Sequence, residues 1–389
     1  MKILEYLAFK KTVGKMWKNK VIVIIHPFTN EEILNPSIGG TRLIYEIKNY
    51  FEEKECKMKI ISLSDFGSLT STLHALTSMI RKSRRKDGIL KNEKRRWLFN
   101  LIYALITELV SKLDILYRNK IKITLEQIKP SIIIYNYPYF GFSNVADISK
   151  SLSIPIIIYE HNVEWHFFED KLGSGIVSKF LIHMAKKLEL SNLRRADYIF
   201  CVNKRDYEVL VKEGKIDPTR LKIWIPFYQR SIKVNLSNIP ENLKKKLKGK
   251  FVVGFVGTNF EPNIIAVENI IRIVREVPEN VIFLIIGSVS KAFENRMNIS
   301  PNVIFTGYVD DLDAYLALCN AFINLKTTSD TGIEIKMFDY LKFNKPIIST
   351  EAGARGFEDF ENVIIIPIEE MTSKITSKII GEIYEHKKH

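Results

Sequence analysis

From Val21 almost to the end of the chain, short β-branched runs alternate with helical patterns, and that alternation leaves few folds open. The runs VIVII, MKIISL, SIIIYNY, PIIIYE, DYIFCV and KIWIP fall between Val21 and Pro226. A second set, FVVGFVG, VIFLIIG, NVIFTG, AFINL, KPIIST and NVIIIP, follows from Phe251 to Pro367. Strands separated by helices are the signature of parallel sheets covered by helices on both faces. Two long helical stretches, Trp97 to Asn119 and Val177 to Arg195, lie within the first set.

At 389 residues the chain exceeds one ordinary core, so two domains are expected. The polar, lysine-rich stretch Gln229 to Lys250 divides the two sets of strands and reads as a linker. The expected organisation is a doubly wound, Rossmann-like domain over 1–228, a linker over 229–250, a second such domain over 251–370 and a terminal helix over 371–389 that packs near the linker. Ligands of such sheets bind at the carboxyl ends of the strands, here expected to face a central cleft.

The formal net charge of +14 calls for an anionic partner, and nucleic acid, an acidic membrane surface and a phosphorylated substrate all qualify. Cys56, Cys201 and Cys319 are far apart in apolar runs without CxxC spacing, which reads as reduced, buried thiols. Met1 to Lys20 alternates lysines with short apolar groups and lacks the continuous apolar core of a signal peptide. The most apolar helix segment, Trp97 to Val110, is too short to cross a bilayer and contains Asn100 and Glu108. The expected location is the cytoplasm, with the inner face of the cell membrane as a candidate docking surface.

The segment SDTGIEIKMFDY, Ser329 to Tyr340, follows the buried run AFINL. On a continuous helix, Gly332, Lys336 and Asp339 share one side, because offsets of four and seven nearly complete whole turns. A bare glycine lets an anion approach a helix N-terminus, the lysine adds a full charge, and the acid suits a ribose hydroxyl. A solvated helix face is the competing reading. Three glycine turns end neighbouring strands. Gly257 leads into Thr258 and Asn259, a loop able to cradle a diphosphate, while Gly287 and Gly307 place backbone groups where a nucleobase can sit.

FVGTNFEPNIIAVENI, VIFTGYVDDLDAYLALCNAFINL and TGIEIKMFDYLKFNKPIISTEAGARGF follow one another in an order and spacing that resemble the retaining glycosyltransferases of family 4. The resemblance spans Val21 to Pro367 and is most specific in the second half. It implies the α/β fold called GT-B, with two doubly wound Rossmann-like domains. It also implies transfer of a sugar from a nucleotide diphosphate to a saccharide or lipid-linked saccharide, with retention of configuration and no cofactor. By the same resemblance Lys336 binds the donor diphosphate and Asp339 the ribose, while amides near Gly332 cradle phosphate or sugar. Asp339 stands where the family more often has glutamate. Thr331 occupies the place of the family's usual first acid, with Asp330 beside it as a candidate substitute. The arginine and lysine that many relatives carry after the first strand of this domain are absent from Thr258 to Glu261, which leaves more of the neutralisation to Lys336, with Arg355 as a candidate helper.

His161, just past PIIIYE, looks like the family's active-site histidine, against the plainer reading of a hydrogen-bonded wall residue. Asn162 and Glu164 are polar neighbours, and His166 is badly spaced for a zinc pair with His161. Gly39 and Gly40 precede an amphipathic helix and read equally as an acceptor or phosphate loop and as a flexible helix start. Asp311 and Asp313 spell DxD, but the apolar residues around them favour a helix cap, and no metal is expected.

Arg81 to Arg96 holds nine cations ahead of WLFNLIYALITELV, and Arg81 to Val110 is therefore a candidate for an anionic membrane surface. A solvated basic face is the plainer alternative. The charge also permits a nucleic-acid-binding protein, but no RNP-like strand, zinc finger or helix-turn-helix pattern is present, so no nucleic acid is expected. The change at Thr331 keeps open a GT-B scaffold that binds nucleotide without catalysis.

Overall fold

The computed structural model describes residues 18–27, 39–66, 68–73, 93–227, 234–327, 332–367 and 373–386. The chain divides into two compact units: Met1–Tyr228 with Asp330–Gly332, and Gln229–Ser329 with Ile333–His389.

In the first unit, β1 (Val21–His26), β2 (Lys57–Ser62), β3 (Ile132–Asn136), β4 (Ile156–Glu160), β5 (Tyr198–Cys201) and β6 (Leu221–Ile223) form one sheet in the order β2-β1-β3-β4-β5-β6. Every pairing is parallel. Parallel neighbours need crossovers, which are supplied by α1 (Gly39–Glu53), α2 (Glu93–Leu113), α3 (Ile115–Ile128), α4 (Phe142–Ser151), α5 (Glu164–Leu172), α6 (Ile176–Leu193) and α7 (Lys204–Lys212). All five residues of β3 and of β4 are buried, as strands covered on both faces require. On one face, Trp224 packs edge-on against Tyr50 and Tyr159, with Phe51 and Phe200 tilted beside it.

The expected helix over Trp97 to Asn119 is two helices. Asp114 interrupts it: one carboxylate oxygen accepts from Tyr117 N–H at 3.0 Å, and the other from the Thr70 N–H and hydroxyl at 2.8 Å each. A side chain that caps a new first turn while tethering a distant segment ends the old helix, which apolar periodicity cannot reveal. One helix further on, the buried Glu108 carboxylate from α2 accepts from the N–H groups of Gly141, Phe142 and Ser143 at 2.6, 3.1 and 3.1 Å. It thereby satisfies the open donors at the start of α4.

The second unit holds β7 (Phe251–Val256), β8 (Val281–Ile286), β9 (Val303–Gly307), β10 (Ala321–Asn324), β11 (Ile347–Thr350) and β12 (Val363–Ile366), ordered β12-β11-β10-β7-β8-β9 and again all parallel. Its helices are α8 (Glu241–Leu247), α9 (Glu261–Ile273), α10 (Leu312–Ala317), α11 (Lys336–Leu341), α12 (Glu351–Ala354) and α13 (Ser373–His386). The strand order reverses between β7 and β10, and a doubly wound sheet opens its ligand crevice at such a point.

One further expectation changes. The stretch read as a linker contains α8, whose Leu243 and Leu247 are buried; two leucines among lysines leave little apolar signal. The terminal helix α13 docks within the second unit, where Ile380 is fully buried in the core and the Tyr384 ring meets Phe251 edge-on at 5.6 Å.

The glycine turns expected beyond β7, β8 and β9 are laced together. Gly257 N–H donates to Ile286 O at 2.9 Å, Gly287 N–H to Gly307 O at 2.8 Å, and Val289 N–H to Gly257 O at 3.1 Å. Gly287 has φ +108°, and a Cβ there would lie 2.4 Å from Gly257 O. Gly307 has φ +72° but open space around it. Gly287→Ala is therefore expected to cost about 2–4 kcal/mol, from backbone collision added to left-handed strain, and Gly307→Ala only about 1–2 kcal/mol, from strain alone. Urea unfolding of the two variants checks this, and equal losses would contradict the close approach.

Candidate functional site

The switch point of the second sheet gathers an ionic cluster. Lys326 lies just beyond β10, and Lys336 opens α11. The Glu334 carboxylate bridges them, 2.9 Å from Lys326 Nζ and 3.4 Å from Lys336 Nζ. Lys336 also donates to Asn263 Oδ1 at 2.8 Å and lies 4.5 Å from the centroid of the Phe255 ring. Asn263 in turn donates to Thr258 O at 3.1 Å and to its hydroxyl at 3.3 Å. One chain of polar contacts thus runs from the lysine to the loop after β7. Asn259 N–H joins that loop to the next by donating to Ser288 Oγ at 3.0 Å.

The packing beneath explains the placement. Tyr340 of α11 accepts from Val256 N–H at 2.8 Å, and its ring stacks on Phe322 of β10 at 4.6 Å. The helix is pinned to both central strands, and Lys336 is left only 11% exposed. Burial lowers the pKa of Lys336, Glu334 opposes that shift, and the neighbouring Lys326 adds to it. For Glu334, burial alone would raise the pKa, but Lys336 and Lys326 outweigh it and hold the group at about 2. Two ammonium groups share one carboxylate, so the trio keeps one positive charge in a poorly solvated place.

The helix geometry expected of this segment is corrected. Gly332, at φ +88°, is buried but lies outside α11, which begins only at Lys336. The offsets of four and seven apply to a continuous helix, and this one is interrupted by a left-handed residue, so Gly332 does not share a helix face with Lys336 and Asp339. Asp339 is buried and accepts from Lys342 Nζ at 2.8 Å. Asp330 and Thr331 lie outside the described residues. Arg355 is the half-buried C-cap of α12. Asp311 caps α10 by accepting from Ala314 N–H at 3.1 Å, and Asp313 meets Lys342 at 3.3 Å. Among the described residues, no group of three or more His, Cys, Asp and Glu is placed to hold a metal ion.

The first unit carries its own polar centre beyond β3 and β4. His161 is buried, with Nε2 at 3.0 Å from Asn136 Oδ1, and its ring stacks on Tyr137 at 4.4 Å and 10°. Tyr137 adopts φ +76°, an uncommon conformation that turns the chain directly after β3. Burial lowers the pKa of His161 to about 3, so the imidazole is neutral near pH 7. The hydrogen bond between Nε2 and the Asn136 carboxamide holds the neutral ring in place. His166 is at the surface, 3.2 Å from Glu169 and 3.1 Å from Glu213. Gly39 and Gly40 form the first turn of α1.

Around His161 lie buried acids. Both Glu160 oxygens lack a hydrogen-bond partner among the described residues, and burial, then Glu189, Glu164 and Asp206, push its pKa well up. Glu189 accepts from the Tyr139 hydroxyl at 2.5 Å and from Glu164 N–H at 3.1 Å. Glu164 is raised to about 7, chiefly by burial and further by Asp206, against a weak hydrogen bond from Asn162.

Motif reading missed Lys326, Glu334 and Asn263 in the second unit, and Asn136 and Tyr137 in the first. Lys326 had a signal, since it directly follows the buried run AFINL at a strand's carboxyl end. Glu334 had none, because an unbroken helix would have turned it away from Lys336.

Residues 250–381 match the family described as glycosyl transferases group 1, a stretch that contains this ionic cluster. No curated protein matches the sequence. Among solved structures, HepE of Anabaena in complex with UDP superposes with a TM-score of 0.58 at 12% identity, over 95% of this chain and 90% of that one. Sucrose-phosphate synthase of Thermosynechococcus elongatus gives 0.58 at 12% identity, over 94% and 90%. A glycosyltransferase of Rickettsia africae gives 0.53 at 13% identity, over 95% and 88%. At such identities the likeness carries the fold alone: two doubly wound parallel units, the GT-B architecture.

The Glu164 shift has a measurable sign. Its folded pKa of about 7 lies above the ordinary 4.5, so its contribution to stability is fully present below pH 4.5 and is lost as pH rises to about 7. Glu164→Gln should therefore gain on the parent by about 3 kcal/mol between those limits and no more above them. Denaturant unfolding of both proteins across that range tests this; parallel pH profiles would contradict the burial of an ionising carboxyl.

Proposed function

We propose that the chain is a retaining glycosyltransferase that moves a sugar from a nucleotide diphosphate to a saccharide or lipid-linked saccharide. The observation that carries this reading is the surplus positive charge of the Lys326–Glu334–Lys336 cluster, fixed at the β7/β10 switch point and tied through Asn263 to the loop after Gly257. The group 1 glycosyl transferase match over this unit supports it, as do the solved structures of HepE with UDP and UDP-glucose.

As the bond between sugar and diphosphate breaks, negative charge grows on the leaving oxygen. Lys336, with its ammonium already desolvated and oriented, meets that charge without reorganisation. Lys326 shares Glu334 with it, so the cluster strengthens its hold when a diphosphate joins as a second counter-ion. Thr258, Asn259 and the turns at Gly257, Gly287 and Gly307 serve the donor's phosphate and base, and Gly332, with Asp330 and Thr331 outside the described residues, belongs to the donor-binding set by the sequence resemblance. Gly39 and Gly40 serve the acceptor or phosphate. His161 acts as a neutral hydrogen-bonding group toward sugar hydroxyls. Retention and membership of family 4 rest on the sequence resemblance, and metal independence on the reading of Asp311 and Asp313 as part of a helix cap.

A thermal-shift screen of UDP, GDP, ADP and their sugars should identify one nucleotide that stabilises the protein, by about 2.7 kcal/mol at a hundred times its dissociation constant. Lys336→Ala should keep the fold and lower transfer by about 100- to 1000-fold, the loss expected on removing one electrostatic group from a transition state. Unchanged turnover would remove the central assignment, and nucleotide binding by the parent without any turnover would leave a binding scaffold. Asp339→Asn separates two roles: weaker nucleotide affinity at an unchanged melting temperature supports a ribose contact, whereas a lower melting temperature at unchanged affinity assigns the carboxylate to Lys342.

A further inference from the structure

The helices α2 and α6 pack side by side on the first unit and leave an apolar face uncovered. On α2, Ile102, Ile106, Leu109 and Leu113 recur at the spacing of one helical stripe, and that stripe points outward; Leu109 is 64% exposed and Leu113 78%. On α6, Ile176, Phe180 and Met184 form a second outward stripe, with Ile176 88% and Phe180 62% exposed. Between the helices runs a groove of about 370 Å³, and apart from Glu108 and Lys112 its lining is aliphatic side chains and Met184. The Glu108 carboxylate is already engaged by backbone N–H groups. An uncovered aliphatic surface of this extent is unusual on a folded unit and marks a place of contact.

The exposed charges described on these two helices have one sign. Among the side chains described on α2 and α6, every exposed charged group is a cation: Lys94, Arg95, Lys112, Lys179 and Lys187. The sequence just before α2, Arg81 to Lys91, lies outside the described residues and carries six cations against one acid, Asp87. Apolar stripes on helices whose described exposed charges are all cations are suited to an interface where hydrocarbon lies beneath anionic headgroups. A second copy of this chain, docked face to face, would set like charges against each other. Nucleic acid would satisfy the cations but leave the leucine and isoleucine stripes without partners, since single strands are gripped by aromatic stacking and phosphate contacts.

We propose that the α2/α6 face docks on an anionic lipid bilayer, with the two aliphatic stripes entering the headgroup boundary and the flanking lysines contacting lipid phosphates. The proposal is independent of the transfer reading. It replaces the basic run and α2 as the expected membrane element with a two-helix surface in which α6 contributes equally.

Co-sedimentation of the full chain with vesicles of phosphatidylcholine alone, or with phosphatidylglycerol added, tests it. Binding should be strong only to the anionic vesicles and should weaken when salt is raised to about 0.5 M, where exposed charges are screened. The double variant Leu109→Ser/Phe180→Ser should bind at least about tenfold more weakly, the lower bound for withdrawing two large apolar side chains. Both positions are exposed, so its melting temperature should match the parent's. A second variant, Lys179→Glu/Lys187→Glu, should lose binding to anionic vesicles with the apolar stripes intact. Absence of vesicle binding, or equal binding by parent and both variants, would overturn the proposal. So would a lipid-free dimer that Leu109→Ser/Phe180→Ser dissolves, because the face would then belong to a second copy.

Discussion

Parallel pairing constrains everything else in this protein. A strand that must run beside its neighbour in the same direction needs a crossover between them, and the crossover covers the sheet. Both sheets are thereby buried on two faces, and polar chemistry is driven to the strand ends. Where the second sheet reverses its order, between β7 and β10, the outgoing connections diverge and leave space. Lys326, Lys336, Glu334 and Asn263 occupy that space because α11 is fastened through Tyr340 to both central strands.

The two units handle buried charge in opposite ways. In the second, Glu334 is compensated by two lysines, which holds it ionised to low pH and leaves a net cation. In the first, Glu160, Glu164 and Glu189 crowd together without a cation among the groups that set their pKa values, so burial raises all three. One unit presents fixed positive charge, and the other a neutral histidine among carboxyls that resist ionisation.

Sequence periodicity exposed the twelve strands of the described residues because each is a short, dense apolar run, and Lys336 was singled out by its helical spacing from Gly332 and Asp339 together with the family resemblance. The interruptions escaped it. Asp114 splits a helix by bonding to Thr70, far away in the chain. Gly332 leaves the helix because its φ is positive, which a glycine permits and does not require. Asp339 pairs with Lys342, and Leu243 and Leu247 turn a polar stretch into packed structure. Each depends on a partner or a torsion angle that residue spacing does not encode.

By itself the sequence determined the alternation of strands and helices, the strands of the described residues, the two-unit organisation and the excess of positive charge, because these follow from local apolar periodicity and from composition. Only the tertiary structure decided which charges meet. Glu334 joins Lys326 to Lys336, Asn136 meets the ring of His161, and α2 lies beside α6 so that two separate aliphatic stripes become one cation-bordered face. The physical reason is common to all three: ion pairs, tautomers and exposed patches are properties of neighbours in space, and chain folding alone selects those neighbours.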